Sequence, residues 1–380
     1  TEIYTLSLHD ALPISGQDAV NHVEALFSID KDRRFIIPVV KEALEINPNI
    51  ILFASPWSPP GWMKDSGRMC GGRLLPEMRT AYALYLVKYL QAYEKEGIPI
   101  RAITVQNEPY HDWPPKKVKV KGQEPTLQGG MPTCFWRAHE ERDFIRDFLG
   151  PAFKKAGLAT EIWCYDHNWD DIPWRAARYP HVVLKDPNAA QYVSGVGFHH
   201  YSALGWSNPK LMVKHRKMIA KDVPFYFTEG SLSWAFKGAP KFTYGYMALR
   251  LVRYFRYGCS SYNGWVPMLD TEGNPNDGPF KAKHSMVQRD AQSNALIINS
   301  DYYWLGHFTK YIQRGAICVY IDHPAWKHVE FAAFRNPDNH IVIFAAHKGW
   351  KPRKCRINWQ GKYIEVELPA QSIVNIIWSL

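Results

Sequence analysis

Between residues 49 and 266 the chain alternates between two hydrophobic periods. Strand candidates occupy 49–55, 100–106, 161–165, 193–199, 224–228 and 260–266; most are rich in Val, Ile, Phe or Tyr, and each ends in polar or aromatic residues. Runs of this kind suit parallel strands buried on both faces. Between the first two, 75–96 carries Tyr82, Leu86, Tyr89, Leu90 and Tyr93 at helical spacing, and Gly97 stands where a helix takes its left-handed stop. Residues 31–46, 138–155, 209–220 and 242–257 read as helices in the same way. Repeated strand–helix units mean an α/β protein, and the pattern predicts a (β/α)8 TIM barrel. A doubly wound sheet is the main alternative, weakened because no Gly-rich phosphate loop follows any strand. Six units are visible, so the expected barrel lacks its first two strands.

Past about residue 310 the texture changes. Short apolar segments at 316–321, 329–334, 340–346, 355–359, 363–368 and 372–378 are separated by turn residues such as Asn336-Pro337-Asp338-Asn339. This predicts a small antiparallel β-sandwich beside the barrel. The expected organisation is a foreign segment at 1–15, a partial barrel over 16–310 and a β-sandwich side domain over 311–380. Thr1 to Ser15 has neither the basic start nor the continuous apolar stretch of a signal peptide. It resembles translated sequencing-adapter DNA, which points to metagenomic assembly and to a true start lying further upstream. Loss of two strands would expose sheet edges and apolar interior, at about 25 cal/mol per Å². The chain as written is therefore expected to be poorly stable and weakly active.

Composition narrows the function. At 380 residues and 46% hydrophobic, the chain can build a large core and one small extra domain. Its 15 Trp and 21 Tyr exceed what packing requires, and indole faces suit the apolar C–H face of a sugar. The formal charge of +10 is densest at Pro114-Pro115-Lys116-Lys117-Val118-Lys119-Val120-Lys121-Gly122, a loop or hairpin. No nucleic-acid motif surrounds it, so the run reads as a solvated loop or as a basic rim favouring an acidic polysaccharide or membrane surface. Cys70, Cys134, Cys164, Cys259, Cys318 and Cys355 form no CxxC pair, and His139-Glu140-Glu141-Arg142-Asp143 lacks the second histidine of a zincin. No metal or cofactor is expected. No stretch reaches the roughly 18 apolar residues of a membrane span.

Two strand ends carry the candidate chemistry. Thr104-Val105-Gln106-Asn107-Glu108-Pro109 and Phe227-Thr228-Glu229-Gly230-Ser231 each place one glutamate just after a buried apolar run. A carboxylate at the mouth of a strand is held rigidly, and two that face each other are what glycoside hydrolysis needs. Together with Ala54-Ser55-Pro56-Trp57-Ser58-Pro59-Pro60-Gly61-Trp62-Met63-Lys64, these segments resemble strands 3, 4 and 7 of glycoside hydrolase family 30. That family includes the acid β-glucosidases (glucosylceramidases). The resemblance runs from about Phe27 to the C-terminus and includes Gly197-Phe198-His199-His200-Tyr201 and Tyr303-Trp304-Leu305-Gly306-His307-Phe308.

The resemblance implies retaining hydrolysis of β-glycosides, with Glu108 as acid/base, Glu229 as nucleophile and the two carboxyls roughly 5 Å apart. Asn107 would hydrogen-bond the sugar 2-hydroxyl. Trp57 and Trp265 would wall the sugar site, His199 and Tyr201 would stand near the nucleophile, and Asn276 would reach in from a loop. The partner is a β-linked carbohydrate or glycolipid, with no nucleic acid and no stable membrane insertion. β-Glucosides lead, with β-xylosides, β-fucosides or β-1,6-glucan as alternatives. A non-catalytic carbohydrate-binding protein on the same scaffold is the competing class. The loop 110–136 departs from the common family version and is expected to shape the leaving-group side. Relatives are usually exported or lysosomal, so secretion or a periplasmic location is expected.

Overall fold

The computed structural model describes residues 16–118, 126–168, 178–201, 210–219, 221–230, 240–275, 285–323 and 328–380. The adapter-like segment and Asn276 therefore lie outside the described residues. By internal contacts the chain divides into two units, one drawn from 1–199 and 215–226, the other from 200–214 and 227–380.

The first unit is built on parallel strands in chain order. β1 (Leu52–Ala54) pairs with β2 (Ile100–Thr104), with Ala54 opposite Ile103. A two-stranded antiparallel pair of β3 (Lys116–Val118) and β4 (Thr126–Gln128) follows, and β3 holds Lys116 and Lys117 of the basic run. β5 (Glu161–Asn168) then pairs with β2, and β6 (Val193–His199) with β5. β7 (Phe225–Gly230) begins in this unit, where the Val196 amide donates to the carbonyl of Pro224 at 3.0 Å. Parallel neighbours in chain order, each reached through helix, are the barrel pattern. The helix Arg79–Lys95 buries Tyr82, Leu86, Tyr89, Leu90 and Tyr93, the stripe its spacing predicts.

Two expected helices are interrupted, each at a proline. The 31–46 segment forms Asp30–Phe35 and Ile37–Ile46, with Pro38 in the first turn of the second helix. The 138–155 segment runs as Ala138–Phe144, one π-helical stretch at Ile145–Leu149, then Gly150–Lys155. Pro151 has no N–H to give the preceding turn, so the backbone ladder shifts register just before it.

The second unit takes the rest of β7, the helix Pro240–Arg256 and β8 (Cys259–Gly264). A small sheet not foreseen in the pattern follows: β9 (Met268–Asp270), β10 (Val287–Arg289) and β11 (Leu296–Ile298). Each of its strands is only three residues long, too short for a period to register. The C-terminal part is the expected antiparallel sandwich. One sheet runs in the order β12 (Ile317–Val319), β13 (Val329–Arg335), β14 (His340–His347) and β17 (Ser372–Ser379). The other is the hairpin of β15 (Arg353–Trp359) and β16 (Lys362–Leu368).

Side-chain alternation on β13 and β14 feeds two cores. Phe331, Ala333, Ile343 and Ala345 pack with Leu368 of β16. Ala332, Phe334, Phe344 and Ala346 pack instead against Leu249 and Val252 of the helix Pro240–Arg256 and Trp304 and Phe308 of the helix Ser300–Thr309. The Phe308 ring stacks on Phe344 with centroids 3.7 Å apart. The aromatic motif at 303–308 is therefore a packing element. Burial on both faces explains why these two strands read as almost unbroken apolar runs. Buried Glu330 joins strand to helix, accepting from Arg253 at 2.6 Å and Arg256 at 2.7 Å.

Candidate active site

In the first unit, the residues just after β1 and β2 are stitched together by backbone. The Asn107 amide donates to the carbonyl of Pro56 at 2.8 Å, and Gln106 Nε2 donates to the carbonyl of Trp57 at 2.6 Å. Half-buried Trp57 is thereby fixed beside buried Asn107 and Glu108. The turn beyond Trp57 is anchored by Lys64. The residue is 3% exposed, and its ammonium donates to Ser58 Oγ (2.9 Å) and to the carbonyls of Met69 and Thr133 (both 2.7 Å). Burial lowers the Lys64 amine to about 8. Gly61 is required here, because a Cβ would lie 2.9 Å from the Arg68 backbone. The loop after Glu108 is tied to the same turn by the Thr133 and Phe135 amides, which donate to Met69 and Gly72.

Glu108 has a left-handed backbone, φ 48°, with its amide donating to the carbonyl of Asp166 at 3.0 Å. Strained backbone of this kind costs on the order of 1–3 kcal/mol and clusters at functional sites. Three imidazoles surround the carboxyl. His111 Nδ1 lies 2.6 Å from Oε2, His199 Nδ1 3.2 Å from Oε1 and His167 Nδ1 3.8 Å from Oε1. His199 Nε2 then meets Asp166 Oδ1 at 3.0 Å, and Thr104 donates its hydroxyl to Asp166 Oδ2 at 2.7 Å, joined there by Ser55. Both nitrogens of His199 thus face carboxylate oxygens. Such a chain is satisfied only if it holds one proton more than a neutral imidazole between two carboxylates. Burial pushes the Glu108 carboxyl up, but hydrogen bonds from His111 and His199, helped by the rings' positive potential, outweigh it and hold it well below the usual range. His167 is driven down to about 3, mainly by its own burial.

A bulge in β5 positions this chain. Tyr165 and Asp166 are both left-handed, φ 79° and 63°, and the pairing with β6 skips from Tyr165–Gly197 to His167–Phe198. The freed Tyr165 amide donates to Glu141 Oε1 at 2.9 Å, and Tyr179 Oη donates to Glu141 Oε2 at 2.7 Å. Glu141 is fully buried, and burial raises its carboxyl to about 7. A carboxyl whose folded value exceeds its unfolded value contributes stability that is full below the unfolded value and lost as pH rises through the folded one. From the ordinary 4.5 to about 7 the loss is roughly 3 kcal/mol. Glu141→Gln is therefore expected to match the parent in urea midpoint at pH 4 and to exceed it at pH 8. Equal midpoints at both pH values would contradict this. The depressed His167 has the opposite slope, gaining stability as pH rises from about 3 to 6.5.

In the second unit, half-buried Glu229 stands one residue before the end of β7. The next residue must be glycine: a Cβ on Gly230 would lie 2.5 Å from the Phe227 ring and 3.0 Å from His200 Nε2. The Trp265 amide donates to the carbonyl of Gly230 at 2.9 Å, which fixes the residue after β8 beside the end of β7. Tyr201 follows His200, whose ring meets the Phe227 ring edge-on at 4.7 Å. Among the expected site residues, Trp57, Asn107, Glu108 and His199 thus belong to the first unit, and Tyr201, Glu229 and Trp265 to the second. His111, Asp166, His167 and Asn168 were missed. For the last three the signal was a polar run, Asp166-His167-Asn168, that ends an apolar strand.

The profile of the glycosyl hydrolase family 30 TIM-barrel domain matches residues 16–312, and that of the family 30 β-sandwich domain matches 315–376. The chain belongs to glycosyl hydrolase family 30, with a TIM-barrel domain and a C-terminal β-sandwich domain. It is similar to an endo-1,6-β-D-glucanase of Neurospora crassa, 32% identical over 74% of this chain and 54% of that protein. It is also similar to putative glucosylceramidase 1 of Caenorhabditis elegans, 31% identical over 85% of this chain and 61% of that one. Among solved structures it resembles an endo-β1,6-glucanase, with a TM-score of 0.80 and 26% identity over 94% of this chain and 78% of that one. The chain thus spans little more than half the length of these curated relatives. No helix among the described residues is long and apolar enough to cross a membrane.

Proposed function

We propose that this protein is a retaining β-glycoside hydrolase, with Glu108 as acid/base and Glu229 as nucleophile. The observation that carries the reading is the Glu108 carboxyl, buried at the carboxyl end of a parallel strand and bound into a chain of His111, His199 and Asp166 that holds a proton for it. In the first step Glu229 attacks the anomeric carbon while the proton held on the histidine–carboxylate chain passes through Glu108 to the leaving oxygen. In the second step water attacks the anomeric carbon as Glu108 takes its proton, the bond to Glu229 breaks, and the sugar leaves with its original configuration. Asn107 and Trp57, fixed by the turns after β1 and β2, hold the sugar. Tyr201, Trp265 and Asn276 are further sugar-binding residues in this reading.

The substrate is a β-glucoside. β-1,6-Glucan gains weight from the Neurospora relative and the solved endo-β1,6-glucanase, and a glucosyl lipid from the glucosylceramidases. Export from the cell agrees with a polysaccharide substrate. The discriminating experiment incubates the protein with β-1,6-glucan and with glucosylceramide, following the newly formed hemiacetal by proton NMR. β-Anomer appearing first from either substrate supports the proposal and names the substrate. α-Anomer first would overturn retention, and binding of glucan without any cleavage would favour the carbohydrate-binding alternative.

A further inference from the structure

We propose that Glu108, His111 and His167 form a zinc(II) site whose occupation withdraws Glu108 from proton transfer, so that the ion acts as a reversible inhibitor. One ligand atom from each residue lies within 4.8 Å of the others. Two imidazole nitrogens and one carboxylate oxygen are a donor set that zinc takes readily, and three protein ligands leave a fourth position for water. His111 Nδ1 and Glu108 Oε2 stand 2.6 Å apart, the spacing of a shared proton. Ligands of tetrahedral zinc at about 2.0–2.1 Å lie about 3.3 Å from one another. The ion therefore replaces that proton, with a small opening of the pair.

The surroundings hold the three ligands. His199 contacts Glu108 Oε1, and Asn168 Nδ2 stands 3.4 Å from His167 Nδ1. The His111 ring stacks near Trp113 at 5.6 Å and meets the His167 ring edge-on at 4.7 Å. These contacts limit how far the two imidazole rings can turn. Glu108 and His167 are buried, while the His111 side chain is 27% exposed, which gives the ion its approach. No sequence motif announces the set, because Glu108 and His111 come from the loop after β2 and His167 from the bulged end of β5.

The binding claim stands on geometry alone, and the inhibition claim rests on the role proposed for Glu108. The test is a cobalt(II) titration of the whole chain, read by the visible bands of tetrahedral cobalt and by displacement with zinc. One ion per chain is expected, with affinity reduced at least ~10-fold in His111→Ala and in His167→Ala. His111 is partly exposed, so its variant is the one expected to stay folded, checked by circular dichroism. Cobalt bands unchanged in a folded His111→Ala protein, or no bands in the parent, would overturn the site. Zinc should suppress parental turnover and a chelator should restore it. Cobalt binding without loss of turnover would keep the site but remove Glu108 from the chemistry.

Discussion

Replacing Glu229 by Ala is expected to abolish turnover on every β-glucoside, by at least ~10⁴-fold, if Glu229 is the nucleophile proposed above, because the glycosyl-enzyme then cannot form on it. The effect does not depend on the leaving group, since the nucleophile takes part whatever departs. A second readout separates catalysis from folding. In the Ala variant, added azide can occupy the space of the lost carboxylate and attack the anomeric carbon directly. One displacement in place of two yields an α-glycosyl azide. In the parent, a 2-fluoro-glucoside with a good leaving group should label the Thr228–Gly230 peptide at Glu229. Residual turnover above a few per cent in the Ala variant, or a label on another carboxylate, would remove Glu229 from the nucleophile role. Thermal unfolding should change little, because Glu229 is only half-buried and stands at a strand end.

The fold was largely legible, for reasons visible in particular residues. The six strand candidates all lie on observed strands, and 193–199 agrees at both ends. Most were readable because parallel strands buried on both faces carry nearly unbroken apolar runs, although β8 is polar and partly exposed. The β-sandwich strands were readable for a related reason, since β13 and β14 fill cores on both sides. What stayed hidden lacked a period: the three-residue strands β9, β10 and β11, and the proline-broken helices.

The proton-holding half of the candidate site was hidden by a different cause. Asp166 and His167 reach it only because β5 bulges, and the bulge depends on a carboxyl far away in sequence, Glu141, accepting the orphaned Tyr165 amide. Apolar periodicity reports burial and says nothing of such a link. The polar run ending β5 was the available signal, since polar residues at the carboxyl ends of barrel strands face the site.

Glu108→Ala should behave differently from the nucleophile variant, and the difference is diagnostic. For a glucan or lipid aglycone, whose oxygen must be protonated to leave, the loss should be about 10²–10⁴-fold. For a nitrophenyl glucoside the first step needs no acid, so glycosylation should survive and the enzyme should accumulate as the glycosyl form. Azide should then rescue release and give the β-glycosyl azide, the opposite anomer from the Glu229 variant. The histidines around Glu108 add a further expectation. His111 and His199 together hold the carboxyl well below the usual range, against its burial. Replacing His111 by Phe should remove the nearer of the two hydrogen bonds and move the pH profile for the unactivated substrate, while leaving the nitrophenyl glycosylation rate nearly unchanged. An equal loss on both substrate types in Glu108→Ala, with no azide product, would mean that Glu108 holds the site together and transfers no proton.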